Sequence, residues 1–284
     1  MADTGLTPAA KEVLHVVSVD GSSIAYERFG RGPAVVLVGG ALNDRNGRAS
    51  GVPLARLMAS DFTVTAYDRR GRGASITALP YSVEREVEDL GALVDAAGES
   101  AALFGMSSGC ALVLAAAAAG VRATKIALYD PPFSTDSAAE QRAKTYDARL
   151  RELINAGDND AALTLFLTMV GMPPQMIDSM RSGPAWRPLR GLAPTLAHDS
   201  AVLNSREGGS VPVARIAKID APILVIAGEL SPPSLRQSSQ AVAAAARQGS
   251  YQVLPGQTHD VAIDALAPVL ITFFSDGTPP SRKS

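Results

Sequence analysis

The stretch that decides the fold is GMSSG, residues 105–109, which stands between AALF at 101–104 and CALVLAAAAAG at 110–120. The first flank is a short apolar run typical of a buried strand, and the second is an Ala-rich run typical of a buried helix. Gly105 and Gly109 permit a tight turn in which the strand and the helix approach closely. The sequence therefore predicts a strand, a sharp turn centred on Ser107, and a helix over 107–120.

Strand and helix signals alternate on both sides of this turn. The order predicts an α/β chain with a mostly parallel sheet and helices on both faces. The turn-rich DGSS between the first two strands favours an antiparallel pair at the start. The predicted strands are 15–19, 24–29, 34–38, 62–67, 101–104, 125–129, 221–228 and 251–254, and the predicted helices are 50–60, 82–97, 107–120, 234–247 and 260–274.

The alternation stops between 134 and 211, where amphipathic helical segments are broken by MPP, SGP, RPL and LAP. This segment reads as a helical cap inserted into one sheet. The predicted organisation is a core of 11–133 and 212–275, a cap of 134–211, and flexible tails at 1–10 and 276–284.

Composition excludes several classes of protein. Of 284 residues, 46% are hydrophobic and 19% charged, and the formal net charge is −2, so neither a disordered chain nor a basic nucleic-acid-binding or membrane-binding surface is expected. The single cysteine, Cys110, forms no internal disulfide and belongs to no metal-binding cluster. The start lacks the apolar core of a secretory signal, and the longest apolar run, 110–121, is too short to cross a bilayer. We expect a cytoplasmic protein without metal or other cofactor.

GMSSG also fits the pattern G-x-S-x-G, in which a serine on a strained strand-to-helix turn serves as a nucleophile. The five-residue pattern is weak evidence by itself, and its position between a strand and a helix strengthens it. The alternative is a plain turn in which Ser107 caps the following helix.

Four motifs occur in order along the chain: VGGALNDR at 38–45, YDRRGRGAS at 67–75, GMSSG, and LPGQTHD at 254–260. With them the chain resembles an α/β-hydrolase-fold protein over roughly residues 15–275. It is most similar to a bacterial subgroup of serine hydrolases with Gly-Gly after the third strand, an acidic residue and Pro-Pro after the sixth, and Ser-Pro after the seventh. The resemblance implies an eight-stranded sheet with the cap inserted after the sixth strand.

Acyl transfer by a serine needs a base that titrates near neutrality and a group that orients it. The chain has three histidines: His15 in the first strand, His198 in the cap, and His259 after the last strand, where the resemblance implies the base. Most of the superfamily carries the acid after the seventh strand, where Ser231 stands here in GELSP.

The favoured acid is Asp130 in LYDPPF, because some branches of the superfamily take their acid from the end of the sixth strand. Pro131 and Pro132 stiffen the chain after it. Glu229 and Asp260 remain as alternatives.

The oxyanion hole is expected from the backbone N–H groups of Ala41 and Ser108, with Gly39 and Gly40 standing where the superfamily usually has His-Gly. The arginines of YDRRGRG could form an anion site, but the resemblance implies that this stretch braces the exit of the fourth strand, which favours a structural ion-pair network beside the active site. The substrate-binding candidates, which predict an uncharged and apolar ligand, are Gly40, Met106, Phe133, Met172 and Trp186.

These observations favour a cofactor-independent serine hydrolase that acts on a carboxylester, lactone or thioester through a Ser107, His259 and Asp130 triad and a covalent acyl-enzyme. An acyltransferase or perhydrolase would use the same site. A third possibility is a small-molecule-binding protein on the hydrolase scaffold, with little or no catalysis, because Ser231 replaces the usual acid.

Overall fold

The computed structural model describes residues 13–78 and 80–275, and the tails predicted at 1–10 and 276–284 lie outside this range. The described residues form one sheet in the order β1-β2-β4-β3-β5-β6-β7-β8, in which β1–β2 and β2–β4 are antiparallel and the other pairs parallel. Its strands are β1 Leu14–Val17, β2 Ser23–Phe29, β3 Ala34–Val38, β4 Thr63–Tyr67, β5 Ala101–Met106, β6 Ala123–Tyr129, β7 Ile223–Gly228 and β8 Gly249–Leu254. The predicted fold class, a mostly parallel eight-stranded sheet opened by an antiparallel pair, is confirmed.

The helices are α1 Val52–Met58, α2 Val83–Ala96, α3 Ser108–Ala118, α4 Ser137–Asn155, α5 Asn159–Met169, α6 Pro174–Arg181, α7 Trp186–Leu192, α8 Leu196–Val202, α9 Val213–Ile216, α10 Pro233–Ala245 and α11 Ile263–Ser275. Two short 3₁₀ turns, Ala193–Thr195 and Ser205–Glu207, flank α8. The last helix begins three residues later than 260, the predicted start, because 255–262 form the loop that carries His259.

The central strands are buried on both faces, as their continuous apolar runs predict. Successive residues of a strand point to opposite faces of the sheet. Thus Val36 and Leu103 pack into one core cluster with α2 and α3, while Leu37 and Phe104 pack into the other with α1 and α11. The sheet is therefore covered by helices on both faces, and the loops at the carboxyl ends of its parallel strands emerge from this packed layer.

Helices α4 to α8, which we call the cap helices, have an apolar cluster of their own. The segment that contains them leaves and re-enters the core at adjacent points, since the Ser134 N–H donates to the Gly209 carbonyl at 2.8 Å. Ala41 and Leu42, from the loop after β3, pack against this cluster. The cap helices therefore contact the carboxyl edge of the sheet, where open α/β sheets bind ligands.

Candidate active site

Ser107 occupies a strained turn between β5 and α3. Its backbone has φ 54° and ψ −127°, in a region that residues with a side chain rarely adopt. The Ser107 side chain makes no hydrogen bond that caps α3. Helix capping therefore does not explain this serine, and strain of this kind is characteristic of functional sites.

The two glycines of GMSSG allow the close approach that the turn needs. A Cβ on Gly105 would lie 2.9 Å from the Cα of Cys110, and a Cβ on Gly109 would lie 2.4 Å from the carbonyl oxygen of Val38. Both distances are shorter than real Cβ contacts. The glycines thus seat the first turn of α3 directly on β5 and β3.

His259 and Asp130, which are 129 residues apart in the chain, meet at the carboxyl edge of the sheet. The Nδ1 atom of His259 lies 3.1 Å from Oδ2 of Asp130, a fully buried carboxylate at the end of β6. An ionised carboxylate only accepts hydrogen bonds, so Nδ1 carries the hydrogen and Nε2 of the neutral ring is left as an acceptor. The His259 side chain is 39% exposed, so part of the ring is accessible to solvent.

Ser231, the residue at the usual position of the acid, contacts the same carboxylate. Its Oγ donates to Oδ2 of Asp130 at 2.6 Å, so one oxygen accepts from both Ser231 and His259. Asp130 also has a positive φ of 48°, and its backbone N–H donates to the Ile226 carbonyl at 2.9 Å. Ser231, after β7, thus supplies a hydroxyl that hydrogen-bonds the carboxylate of Asp130, after β6.

The two alternative acids are placed differently. Glu229 is exposed, and its Oε2 accepts from the Gly256 N–H at 2.8 Å. Asp260 is also exposed, and its backbone carbonyl accepts from the Thr258 hydroxyl at 3.4 Å. Within the described residues, Asp130 is the carboxylate that contacts the His259 ring.

The loop that carries His259 is tied to the end of β6 by a residue that the sequence analysis missed. The Tyr129 hydroxyl donates to the Thr258 carbonyl at 2.6 Å. Burial raises the pKa of the Tyr129 phenol, so it remains a hydrogen-bond donor across the physiological range. The signal in the sequence was the position of Tyr129, directly before the candidate acid.

The loop after β3 passes close to Ser107. A Cβ on Gly40 would lie 2.9 Å both from the Met106 carbonyl oxygen and from the Ser107 Cβ. The next residue, Ala41, is half-buried, and its carbonyl accepts from Asn43 Nδ2 at 2.9 Å. Ser108 is the first residue of α3, where N–H groups lack acceptors within the helix. The two predicted oxyanion donors thus belong to segments that flank Ser107.

A buried ion-pair network lies behind this loop, as YDRRGRG predicts. Arg69 pairs with Glu86 through Nε at 2.7 Å and with Asp199 of α8 through Nη1 at 2.7 Å, and Arg72 Nη2 pairs with Asp199 at 2.7 Å. The Ser108 hydroxyl donates to Oδ1 of Asp199 at 2.7 Å. Burial opposes the charged form of Asp199, but the guanidinium groups of Arg72 and Arg69 outweigh it and hold its pKa below the usual range.

The remaining pocket candidates divide between the site and the packed cores. Met106 is half-buried at the end of β5, next to Ser107, and Met172 packs on the surface of the cap cluster. Phe133 instead belongs to the core between the sheet and α3. Trp186 is buried inside the cap cluster, where its Nε1 donates to Asp160 at 2.7 Å.

Comparison with known proteins places this geometry in a family. The model of the alpha/beta hydrolase family matches residues 24–270. The chain belongs to that family. An alpha/beta hydrolase from Sphaerobacter thermophilus DSM 20745 is 45% identical, with a TM-score of 0.82 over 92% of this chain and 100% of that one.

More distant structures share the fold of this family member. An esterase from Thermogutta terrifontis is 20% identical, with a TM-score of 0.67 over 93% of this chain and 98% of that one. The enol-lactonase from Burkholderia xenovorans LB400 is 20% identical, with a TM-score of 0.65 over 92% of this chain and 100% of that one. The family and the relative of 45% identity together indicate a hydrolase.

Neither a membrane span nor a metal cluster is found in the described part of this family member. No helix within 13–78 and 80–275 combines the length and the apolar character needed to cross a bilayer. Over the same residues, no three His, Cys, Asp or Glu side chains are grouped so that they could hold a metal ion.

Proposed function

We propose that this protein is a serine hydrolase that cleaves an ester-like acyl substrate, a carboxylester, lactone or thioester, without a cofactor. The observation that carries the proposal is the 3.1 Å contact between His259 Nδ1 and Asp130 Oδ2. The strained serine Ser107 adjoins this pair, because its backbone N–H donates at 2.9 Å to the carbonyl of Tyr129, the residue before Asp130. The contact between His259 and Asp130 also weighs against a binding protein without catalysis, because the substitution at Ser231 was the sequence feature that favoured one.

Each residue then has a step in the reaction. Ser107 Oγ attacks the acyl carbon while His259 Nε2 takes its proton, and the N–H groups of Ala41 and Ser108 stabilise the resulting oxyanion. Asp130 stabilises the imidazolium and keeps Nε2 directed away from itself. The tetrahedral intermediate collapses to an acyl-enzyme as His259 returns the proton to the leaving alcohol or thiol.

Hydrolysis of the acyl-enzyme follows the same steps, with a water molecule as the nucleophile. His259 takes a proton from the water molecule as its oxygen attacks the acyl carbon, and then gives that proton to Ser107 as the acid product leaves. The hydroxyl of Ser231 keeps a second hydrogen bond on Asp130, which limits the positions that this carboxylate can adopt.

The substrate we propose is uncharged and apolar. Ala41 and Leu42 pack against the apolar cap cluster, and Met106, directly before Ser107, packs against the core cluster that contains α1 and α11. Arg69 and Arg72 donate to carbonyls of the loop after β3, and both are buried and paired with Asp199. They are therefore neutralised within the protein, and a carboxylated substrate would find no free cation in this network.

A turnover assay tests the proposal. The wild type should hydrolyse p-nitrophenyl esters of short and medium acyl chains, and should turn over a succinyl monoester more slowly because of its charge. Ser107→Ala should abolish turnover, whereas the same change at Ser182, an exposed serine directly after α6, should retain it. A folded wild type with no activity on any of these esters, or Ser107→Ala with full activity, would contradict the proposal.

A further inference from the structure

The Asp199 carboxylate joins the cap helices to both sides of the proposed oxyanion hole. It is contributed by α8, and its side chain is 6% exposed. On one side it accepts from the Ser108 hydroxyl at 2.7 Å. On the other it pairs with Arg69 and Arg72, each at 2.7 Å. A residue 91 positions away from Ser108 in the sequence thus contacts the residue directly after the nucleophile.

The two arginines in turn hold backbone carbonyls of the loop after β3. Arg69 Nη1 donates to the Gly39 carbonyl at 3.1 Å, and Arg72 Nη1 donates to the Gly40 carbonyl at 2.5 Å. The Gly40 carbonyl and the Ala41 N–H belong to one planar trans peptide group and point in opposite directions. When Arg72 holds that carbonyl, it also sets the direction of the Ala41 N–H.

The charged groups that connect Asp199 to the loop after β3 are buried. Arg69 and Arg72 are each 1% exposed and Glu86 is fully buried. Two arginines and two carboxylates balance in charge, and Coulomb interactions are strong at such burial. Removing the Asp199 charge would leave an uncompensated guanidinium group beside the loop, and buried charges of this kind force rearrangement.

We propose that Asp199 is a positioning residue for the oxyanion hole, which rests on the function proposed above. It orients the Ser108 N–H through the Ser108 hydroxyl, and the Ala41 N–H through Arg72 and the Gly40 carbonyl. The cap helices thereby contribute to transition-state stabilisation as well as to substrate binding. Preorganised donors matter most for the charge that develops on the oxygen, so kcat rather than KM depends on Asp199.

Two variants and a matched control test this role. Ser108→Ala removes the hydroxyl that Asp199 accepts and keeps the Ser108 backbone N–H, while Asp199→Asn removes the charge. The control is Ser200→Ala, since the Ser200 hydroxyl donates to Asp147 at 2.7 Å from the next position on α8. That bond has the same length and burial, but it lies within the cap helices.

The readouts are kcat, KM and the inhibition constant of a trifluoromethyl ketone, whose hemiketal oxyanion occupies the oxyanion hole. Ser108→Ala should lower kcat about tenfold and Asp199→Asn about 100-fold, up to the loss expected for one missing oxyanion donor. KM should stay within about twofold, and the inhibition constant should rise in parallel with the loss of kcat. Ser200→Ala should match the wild type.

Three results separate the possible failures. An inactive wild type that also fails to bind the ketone would overturn the proposed function itself. An active wild type with Ser108→Ala and Asp199→Asn no different from Ser200→Ala, or with KM raised at unchanged kcat, would overturn the role of Asp199 alone. If Asp199→Asn does not fold, the comparison of Ser108→Ala with Ser200→Ala tests the role of Asp199, because each of these variants removes only one hydroxyl group.

Discussion

Replacing Asp130 with Asn and Ser231 with Asp in the same chain should move the acid of the proposed triad from β6 to β7. Ser231 Oγ lies 2.6 Å from Asp130 Oδ2, the oxygen that His259 Nδ1 contacts at 3.1 Å. An aspartate at 231 places a carboxylate oxygen one bond beyond the present Oγ. That extra bond brings it within reach of the His259 ring.

The magnitudes follow from what each change removes. Asp130→Asn takes away the charge that stabilises the imidazolium, and should lower kcat by about 10⁴-fold, as removal of the acid does in serine proteases. This loss corresponds to about 5.5 kcal/mol in the activation free energy. Adding Ser231→Asp should recover about 10- to 100-fold, because the new carboxylate restores the charge without the optimised backbone of the original position.

The assay is kcat for the best p-nitrophenyl ester, with thermal unfolding measured for every variant. Ser231→Asp alone is the control, and it should be less stable than the wild type because two carboxylates then share a buried site. Asp130→Asn with more than about one tenth of wild-type kcat would refute the role of Asp130. A double variant no faster than Asp130→Asn would refute the inferred reach from position 231.

Three further predictions concern the surroundings of the site. Gly40→Ala places a methyl group 2.9 Å from the nucleophile's Cβ and from the Met106 carbonyl oxygen, so the turn must shift, kcat should fall at least 100-fold and thermal stability should also fall. Gly191→Ala, in open space on α7, should leave kcat unchanged. Equal kcat for the two variants would contradict this. Tyr129→Phe removes the 2.6 Å hydrogen bond to the Thr258 carbonyl, and it should lower kcat about tenfold and the unfolding free energy by about 1 kcal/mol. An unaltered kcat would mean that this hydrogen bond does not position the base. Burial lowers the pKa of His198 below its usual 6.5, so the unfolded chain binds a proton there that the folded protein does not, and stability should fall as pH drops below 6.5. In His198→Asn the unfolding free energy, measured with urea, should fall less between about pH 7.5 and about pH 5.5, by up to about 1.4 kcal/mol per pH unit. An equal fall in the wild type and the variant would contradict the lowered pKa of His198.

The fold could be predicted because the local signals agree with the tertiary structure. Runs such as AVVLV at 34–38 are apolar throughout, and a strand covered on both faces requires that pattern. Ser82 predicted the start of a helix, and its side chain accepts from the Arg85 N–H at the first turn of α2. The division into a core of 11–133 and 212–275 and a cap of 134–211 stays a prediction.

The candidate site was predictable where a residue follows directly from a strand. Ser107 and His259 stand after β5 and β8, and the sheet itself brings such positions to one edge. Asp130 was favoured over Glu229 and Asp260 through the family resemblance, because all three carboxylates follow strands that end near His259. The three carboxylates differ in burial and in the groups they contact, and neither property can be read from the neighbouring sequence.

Asp199 could not be found from sequence for a physical reason. It lies on a short helix of the cap segment with no motif around it, and its partners come from the first residue of α3 and from the loop after β4. Long-range ion pairs depend on how the segments pack together. Trp186 could not be assigned from sequence either. An aromatic residue that lines a pocket and one that is buried in a helical core can occur at the same helical spacing.

His259 and Asp130 are proposed to activate Ser107 as a nucleophile, and intact mass after exposure to a reactive p-nitrophenyl phosphonate tests this claim most directly. We predict a single phosphonyl adduct on the wild type, no adduct on Ser107→Ala, and strongly slowed labelling of Asp130→Asn. An unmodified but folded wild type, or an adduct that persists in Ser107→Ala, would contradict the claim.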